Sequence, residues 1–206
     1  MRQDLSATLL VILGCLCGAP LAAVAQPQAT DRPWLDRQAL ENGDVSLEVV
    51  KDGPYSLLDA GILIDAPVTT IWDILKACEI APEYVPKIVA CRSIEVLDGG
   101  RGELFIQTVK PAFFLPSFEH VFRMQYDEYS KIDISRVSGP IKYLESTWHL
   151  EPQADGKILL SYELKLDPGI PVPRAFVRAT LRRDMPVVLL AIKERSERAA
   201  RSDGQP

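Results

Sequence analysis

Ile158, Leu160, Tyr162, Leu164 and Leu166 occupy every second position of KILLSYELKL. That spacing places them on one face of a β-strand and leaves the other face for polar groups. The period recurs upstream. EHVFRMQY sets Phe122, Met124 and Tyr126 on one face, and KIDISRV alternates as well. YLESTWHLEP puts Leu144, Trp148 and Leu150 on one side and Tyr143, Glu145, Thr147 and His149 on the other. CRSIEVL and ELFIQTV complete the set, with turn signals at DGG, SGP and DG. The run predicts a meandering antiparallel sheet of about six strands with one buried side.

A sheet that is apolar on one face has to be covered, and the last stretch of the chain provides the cover. Val177, Leu181, Met185, Val188 and Ile192 recur at spacings of 4, 4, 3 and 4, the stripe of a long helix. Arg174, Arg178, Arg182 and Arg183 fall mostly off that stripe. Pro186 breaks the hydrogen-bond ladder and is expected to kink the helix, and RSDGQP reads as a frayed tail over 201–206. A curved sheet around one helix leaves an elongated space between them, which is the expected cavity.

Ahead of these strands, VSLEVVK, the turn DGP and YSLLDAGILID predict a hairpin whose second arm enters the core. DAPVTTIWDILKAC follows with Pro67 suited to a first helical position and Val68, Ile71, Leu75 and Cys78 on one face. APEYVPKI makes a second, shorter helical turn. Gln26 to Asp44 is polar, with one short helix around DRPWLDRQALENG, and reads as a leader laid on the domain.

The chain opens with an apolar run from Leu9 to Val24 that ends in Ala23-Val24-Ala25, the small-x-small pattern of a signal-peptidase site. Residues 1–25 are therefore read as a signal peptide for secretion across the inner membrane, with the periplasm as destination. The alternative is a lipid anchor at Cys15, because Ile12-Leu13-Gly14-Cys15 resembles a lipobox. Removing 25 of 206 residues leaves 181, enough for one domain with a core, expected over 45–200. A net charge of −5 argues against nucleic acid as a partner, since phosphate binding needs a basic footprint.

Loss of the signal peptide would take Cys15 and Cys17 with it and leave Cys78 and Cys91 in an oxidising compartment. A bond between them closes a loop of about 14 residues and contributes about 3 kcal/mol in the chain-entropy model. The alternative is two buried thiols. Neither cysteine has a histidine or CxxC partner to make it catalytic or metal-binding.

Four segments, ILIDAPVTTIWDIL, APEYVPKIVACRSIEVL, STWHLEP and DPGIPVPRAFVRATLRRDMP, carry a resemblance by their order and spacing. Together they resemble the START-like helix-grip superfamily (SRPBCC), in particular its polyketide cyclase/dehydrase and coenzyme Q-binding branch. The resemblance implies an α+β helix-grip fold, a curved antiparallel sheet wrapped around a long C-terminal helix, with two short helices after the first core strand. It also implies a hydrophobic small molecule, of lipid, quinone or isoprenoid type, in the space between sheet and helix. The signal peptide and the paired cysteines depart from the intracellular quinone-binding members.

The residues expected around that ligand are Trp72, Tyr84, Val85, Phe105, Phe113, Phe114, Phe118, Phe122, Met124, Trp148, Tyr162, Phe176, Leu181 and Met185. KPAFFLPSFEHVF and DPGIPVPRAF, with Ile170, Val172 and Phe176, would form an apolar rim with Tyr84 and Val85. Lys87, Lys110 and Arg174 would then meet anionic headgroups during transient contact with a membrane surface. No catalytic, cofactor-binding or metal-binding pattern is present. His120 and His149 read as strand histidines at an edge or satisfied by a hydrogen bond. Glu145 with His149, and Asp133 with Ser135, share strand faces opposite the apolar ones and are expected to meet solvent. The function expected is an exported carrier. The alternatives are a cyclase, aromatase or dehydratase, and an envelope interaction module whose interior is filled by side chains.

Overall fold

The computed structural model describes residues 32–169 and 172–203. The signal peptide 1–25, the anchor at Cys15, the first residues of the leader, Ile170 and positions 204–206 lie outside the described residues. Eight strands form one antiparallel sheet: β1 Ser46–Asp52, β2 Tyr55–Ile64, β3 Ile88–Leu97, β4 Gly102–Val109, β5 Phe118–Asp127, β6 Lys131–Ser138, β7 Tyr143–Pro152 and β8 Ile158–Asp167. Their order is β1-β2-β8-β7-β6-β5-β4-β3. The two ends of the sheet are thus β1 and β3. Between β2 and β3 the chain forms α2, Val68–Lys76, and a 3-10 turn, Cys78–Glu83.

The alternation read in β8 is the one the strand uses. Leu160 and Leu164 face the core, with Leu160 fully buried, and Tyr162 pairs across the ladder with Trp148. The other face of β2 and β8 is covered too. Helix α1, Arg37–Glu41, is capped by the Asp36 carboxylate, which accepts from the Ala39 N–H, and buries Leu40. Trp34 just before it lies over Gly61, where a β-carbon would come within 3.3 Å of the indole. Gly61 pairs with Ser161, which is fully buried. The Ser46 hydroxyl donates to the Trp34 carbonyl and accepts from the Asp36 N–H, tying the segment to β1.

Helix α3, Arg174–Asp203, packs directly on β1, β2 and α2. It runs on through Pro186, and it includes residues 201–203, which the sequence had assigned to a frayed tail. Val188, Leu189 and Ile192 belong to one buried apolar cluster with Ile62, Ile64, Ile71 and Leu75. Helix α2 ends at Lys76, so Cys78 begins the 3-10 turn instead of continuing the helix as its spacing predicted. The turn carries Pro82, whose missing N–H limits a longer α-helix. Among the described residues no helix is long and apolar enough to cross a membrane.

Candidate functional site: an apolar cavity under the terminal helix

Because α3 rests on one end of the sheet, it stands off the strands toward the other. The room left between them is a cavity of about 380 Å³, lined from β4 to β8, from the 3-10 turn and from α3. The sheet contributes Val109, Phe122, Met124, Ile134, Leu144, Trp148, Tyr162, Leu164 and Leu166; the 3-10 turn contributes Cys78 and Ala81, and the residues just after it Tyr84 and Val85; α3 contributes Leu181, Met185, Val188 and Ile192. Trp148 and Tyr162 form a cross-strand ring pair with centroids 4.2 Å apart on this wall.

Of the fourteen residues expected around the ligand, eight converge on the cavity: Tyr84, Val85, Phe122, Met124, Trp148, Tyr162, Leu181 and Met185. The other six do not line it, each for its own reason. Phe105 shares the face of Gln107 but is buried in the closed core, stacked on Phe122 with centroids 5.5 Å apart. Trp72 packs edge-on against Tyr126 and Tyr129. Phe118 is half-buried beside the His120 ring. Phe113 and Phe114 are 91% and 65% exposed and touch each other edge-on in the loop between β4 and β5. Phe176 is exposed on α3. The expected rim is therefore only partly assembled.

Polar groups enter this wall at few points, and the list of expected residues had omitted them. Lys87 follows the turn with φ of 72°, a left-handed conformation that swings the chain into β3, and its carbonyl accepts from the Lys110 N–H. Its ammonium forms an ion pair with Asp184 of α3, closing one side of the cavity. Lys87 is thus engaged inside the protein, whereas Lys110 is exposed and Arg174 donates to the Gly53 carbonyl. Burial opposes ionisation of Asp184, but hydrogen bonds and charge from Arg183 and Lys87 outweigh it and hold the carboxyl below its ordinary range.

His120 is 4% exposed and lies in a row with Gln107 and Cys91. Its Nε2 is 2.9 Å from Gln107 Oε1, and Gln107 Nε2 donates to Cys91 Sγ at 3.8 Å. Its Nδ1 is buried with no hydrogen-bond partner. Burial, and secondarily the positive charge of Arg136, lower its pKa to about 4, so the ring is neutral at ordinary pH. Ser146 Oγ is also buried without a partner. It lies near the Tyr162 phenol but outside hydrogen-bond geometry. Burial pushes that phenol up to about 12, with Ser146 offsetting a little of the effect.

His120 is in phase with Phe122 and Met124, and Ser146 with Leu144 and Trp148. The strand period that found the apolar wall therefore also contained its polar members. His149 lies on the outer face, 3.7 Å from Glu163, and Asp133 accepts from the Thr147 hydroxyl at 2.9 Å there. Cys78 and Cys91 are bonded, their Cα atoms 5.4 Å apart, and Cys78 is part of the cavity wall. Among the described residues no group of three or more His, Cys, Asp or Glu side chains is arranged to hold a metal.

A curved antiparallel sheet gripping a long terminal helix beside an apolar cavity defines the START-like helix-grip class. Residues 64–193 match the family of polyketide cyclase/dehydrase and lipid transport proteins, and the chain belongs to that family. Among solved structures it is similar to the STAR-related lipid transfer protein of Xanthomonas axonopodis. That match has a TM-score of 0.63 at 14% identity, covering 73% of this chain and 92% of that one. It is similar also to the Zhui aromatase/cyclase of Streptomyces sp. R1128, with a TM-score of 0.63 at 15% identity, covering 74% and 99%. The lipid transfer and protein localization domain of human StarD13 aligns with a TM-score of 0.60 at 17% identity, covering 74% and 84%. At these identities the likeness is one of fold. No curated protein matches the chain.

Proposed function

We propose that this protein is an exported carrier that holds one hydrophobic small molecule, of lipid, quinone or isoprenoid type, between the sheet and α3. The observation that carries this is the apolar cavity of about 380 Å³ under α3. Its size is near the low end of the range for small-molecule sites, ~300–1,000 Å³. That favours a single chain or a small ring system over a two-tailed lipid. Burying the ligand there contributes about 0.8 kcal/mol per CH₂, much as a membrane does, so transfer between the two costs little. The open space under α3 weighs against an interior filled by its own side chains. Membership of a family that takes in both cyclases and lipid transport proteins supports a hydrophobic small molecule in this space.

Export is supported by the signal pattern over 1–25 and by the bonded Cys78–Cys91 pair. The exposed Phe113 and Phe114 in the β4–β5 loop, near Lys110, support membrane contact at the end of the sheet where Val109 reaches the cavity. A cyclase or dehydratase function has one observation of its own, the neutral His120 among the cavity residues; it requires turnover of the bound molecule.

Expression of the full chain into a bacterial periplasm, native mass spectrometry and solvent extraction test the proposal together. The expected result is a chain shortened by the signal peptide, oxidised at its cysteine pair and carrying one extractable apolar molecule that leaves unchanged. A protein that carries no such molecule and binds no apolar dye, with a Leu181→Trp variant behaving identically, overturns the carrier function. Conversion of the extracted molecule would establish the enzyme instead.

A further inference from the structure

Two residues of the cavity wall, His120 and Ser146, are at least nine-tenths buried, and each carries a polar atom without a partner. Native proteins rarely leave such atoms unmet, and those that persist need an explanation. For His120 the protein settles which kind of partner is missing. Gln107 has its amide N–H directed at Cys91 Sγ, so its Oε1 accepts from His120 Nε2–H at 2.9 Å. A neutral imidazole with its proton on Nε2 presents a lone pair at Nδ1. The ring is clamped in place: Phe122 and Phe118 flank it at centroid distances of 5.5 and 6.3 Å. The backbone at Gly139 approaches so closely that a β-carbon there would be 2.7 Å from the His120 β-carbon.

We infer that the ligand is a hydroxylated (or N–H-bearing) apolar molecule, and that its donor binds His120 Nδ1 in the Gln107–His120 corner of the cavity. The inference rests on the cavity being a ligand site and narrows what occupies it. A carboxylate or ketone oxygen would oppose the lone pair, and a hydrocarbon would leave it unmet. Among quinone-type compounds, the reduced quinol has the required O–H and the oxidised quinone does not. Ser146, two strands away on β7, is level with Met124 and so four residues along the sheet from His120. At roughly 16 Å its hydroxyl can meet a second polar group of either kind only at the far end of an elongated molecule.

The experiment compares 2-naphthol with 2-methoxynaphthalene, the same ring system with its donor capped, by titration into ligand-stripped protein. The expected result is that naphthol binds about tenfold more tightly, the worth of one hydrogen bond. In His120→Phe both probes should bind with the affinity of the ether. Gln107→Leu, which keeps the imidazole but removes the group that fixes its tautomer, should shrink the preference. Equal affinities in the parent protein, or a preference that survives intact in His120→Phe, overturn the inference while leaving the cavity as a ligand site. Should His120→Phe not fold, an unchanged preference in Gln107→Leu overturns it as well. Binding of neither probe overturns the ligand site and the inference with it.

Discussion

Lys87, at the exit of the 3-10 turn, ion-pairs with Asp184 on α3, 97 residues further along the chain. The two side chains are 23% and 17% exposed, so the pair is partly withdrawn from water. It connects the cavity wall at the end of the 3-10 turn to the helix beneath which the ligand is proposed to lie.

Breaking that pair should loosen the wall. Lys87→Met is expected to cost about 1 kcal/mol of stability, an intermediate value for a half-buried pair, and to accelerate release of a bound apolar dye severalfold. Asp184 is held below its ordinary pKa, so this contribution is present at neutral pH and is lost as pH falls below about 3.8, the ordinary carboxyl value. Stopped-flow release from parent and variant at neutral pH measures the effect. Identical release rates would show that the pair does not hold the wall.

The disulfide should matter for the same wall. Cys78 starts the 3-10 turn, and Cys91 sits in β3 beside it. Cys78→Ser is expected to remove about 3 kcal/mol of stability and to weaken ligand retention. Thermal melts with and without reductant check this. An unchanged melting temperature in the variant would remove the proposed role.

His120 makes stability depend on pH in a particular window. Its folded pKa is about 4 against an ordinary 6.5, with burial the main cause and Arg136 the second. Between those values the unfolded chain takes up the proton and the folded one does not. Stability is therefore complete above about pH 6.5 and declines as pH falls toward 4, by roughly 2–3 kcal/mol. Denaturant midpoints measured from pH 4 to 7 should flatten over this range in His120→Gln. The same slope in parent and variant would assign the titration to other groups.

The exposed aromatic pair should act at a membrane and not in the cavity. Phe113→Ser with Phe114→Ser is expected to lower co-sedimentation with phosphatidylglycerol-containing vesicles about tenfold, from the apolar area withdrawn. Affinity for a soluble apolar dye should be unaltered. Equal vesicle binding by the double variant would leave these rings without a membrane role.

The strands and the terminal helix were legible because their signals are local. The Leu160, Tyr162, Leu164 series and the Val177, Leu181, Met185 series need only the backbone periods of two and 3.6. The end of α2 was less legible, because Cys78 kept the helical phase while Ala77 had left the helical conformation, with ψ of 73°. The place of the aromatic loop was not legible either: Phe113 and Phe114, expected around the ligand at the rim of the mouth, are exposed and do not line the cavity. Hydrophobicity marks a residue that avoids water somewhere, without saying whether it meets the core or a partner surface.

What the sequence by itself determined is the set of elements and the face of each one that turns inward, since alternation is a property of a single strand. Where the inside is packed and where it is open was decided only in three dimensions. Phe105 and Phe122 are register partners on one face, yet only Phe122 borders the cavity. That depends on α3 resting on β1, β2 and α2 and standing off the strands beyond. The pairing of Lys87 with Asp184 and the unmet nitrogen of His120 arise in the same way. Each is set by distances between layers, which the whole set of packed side chains determines and no local period records.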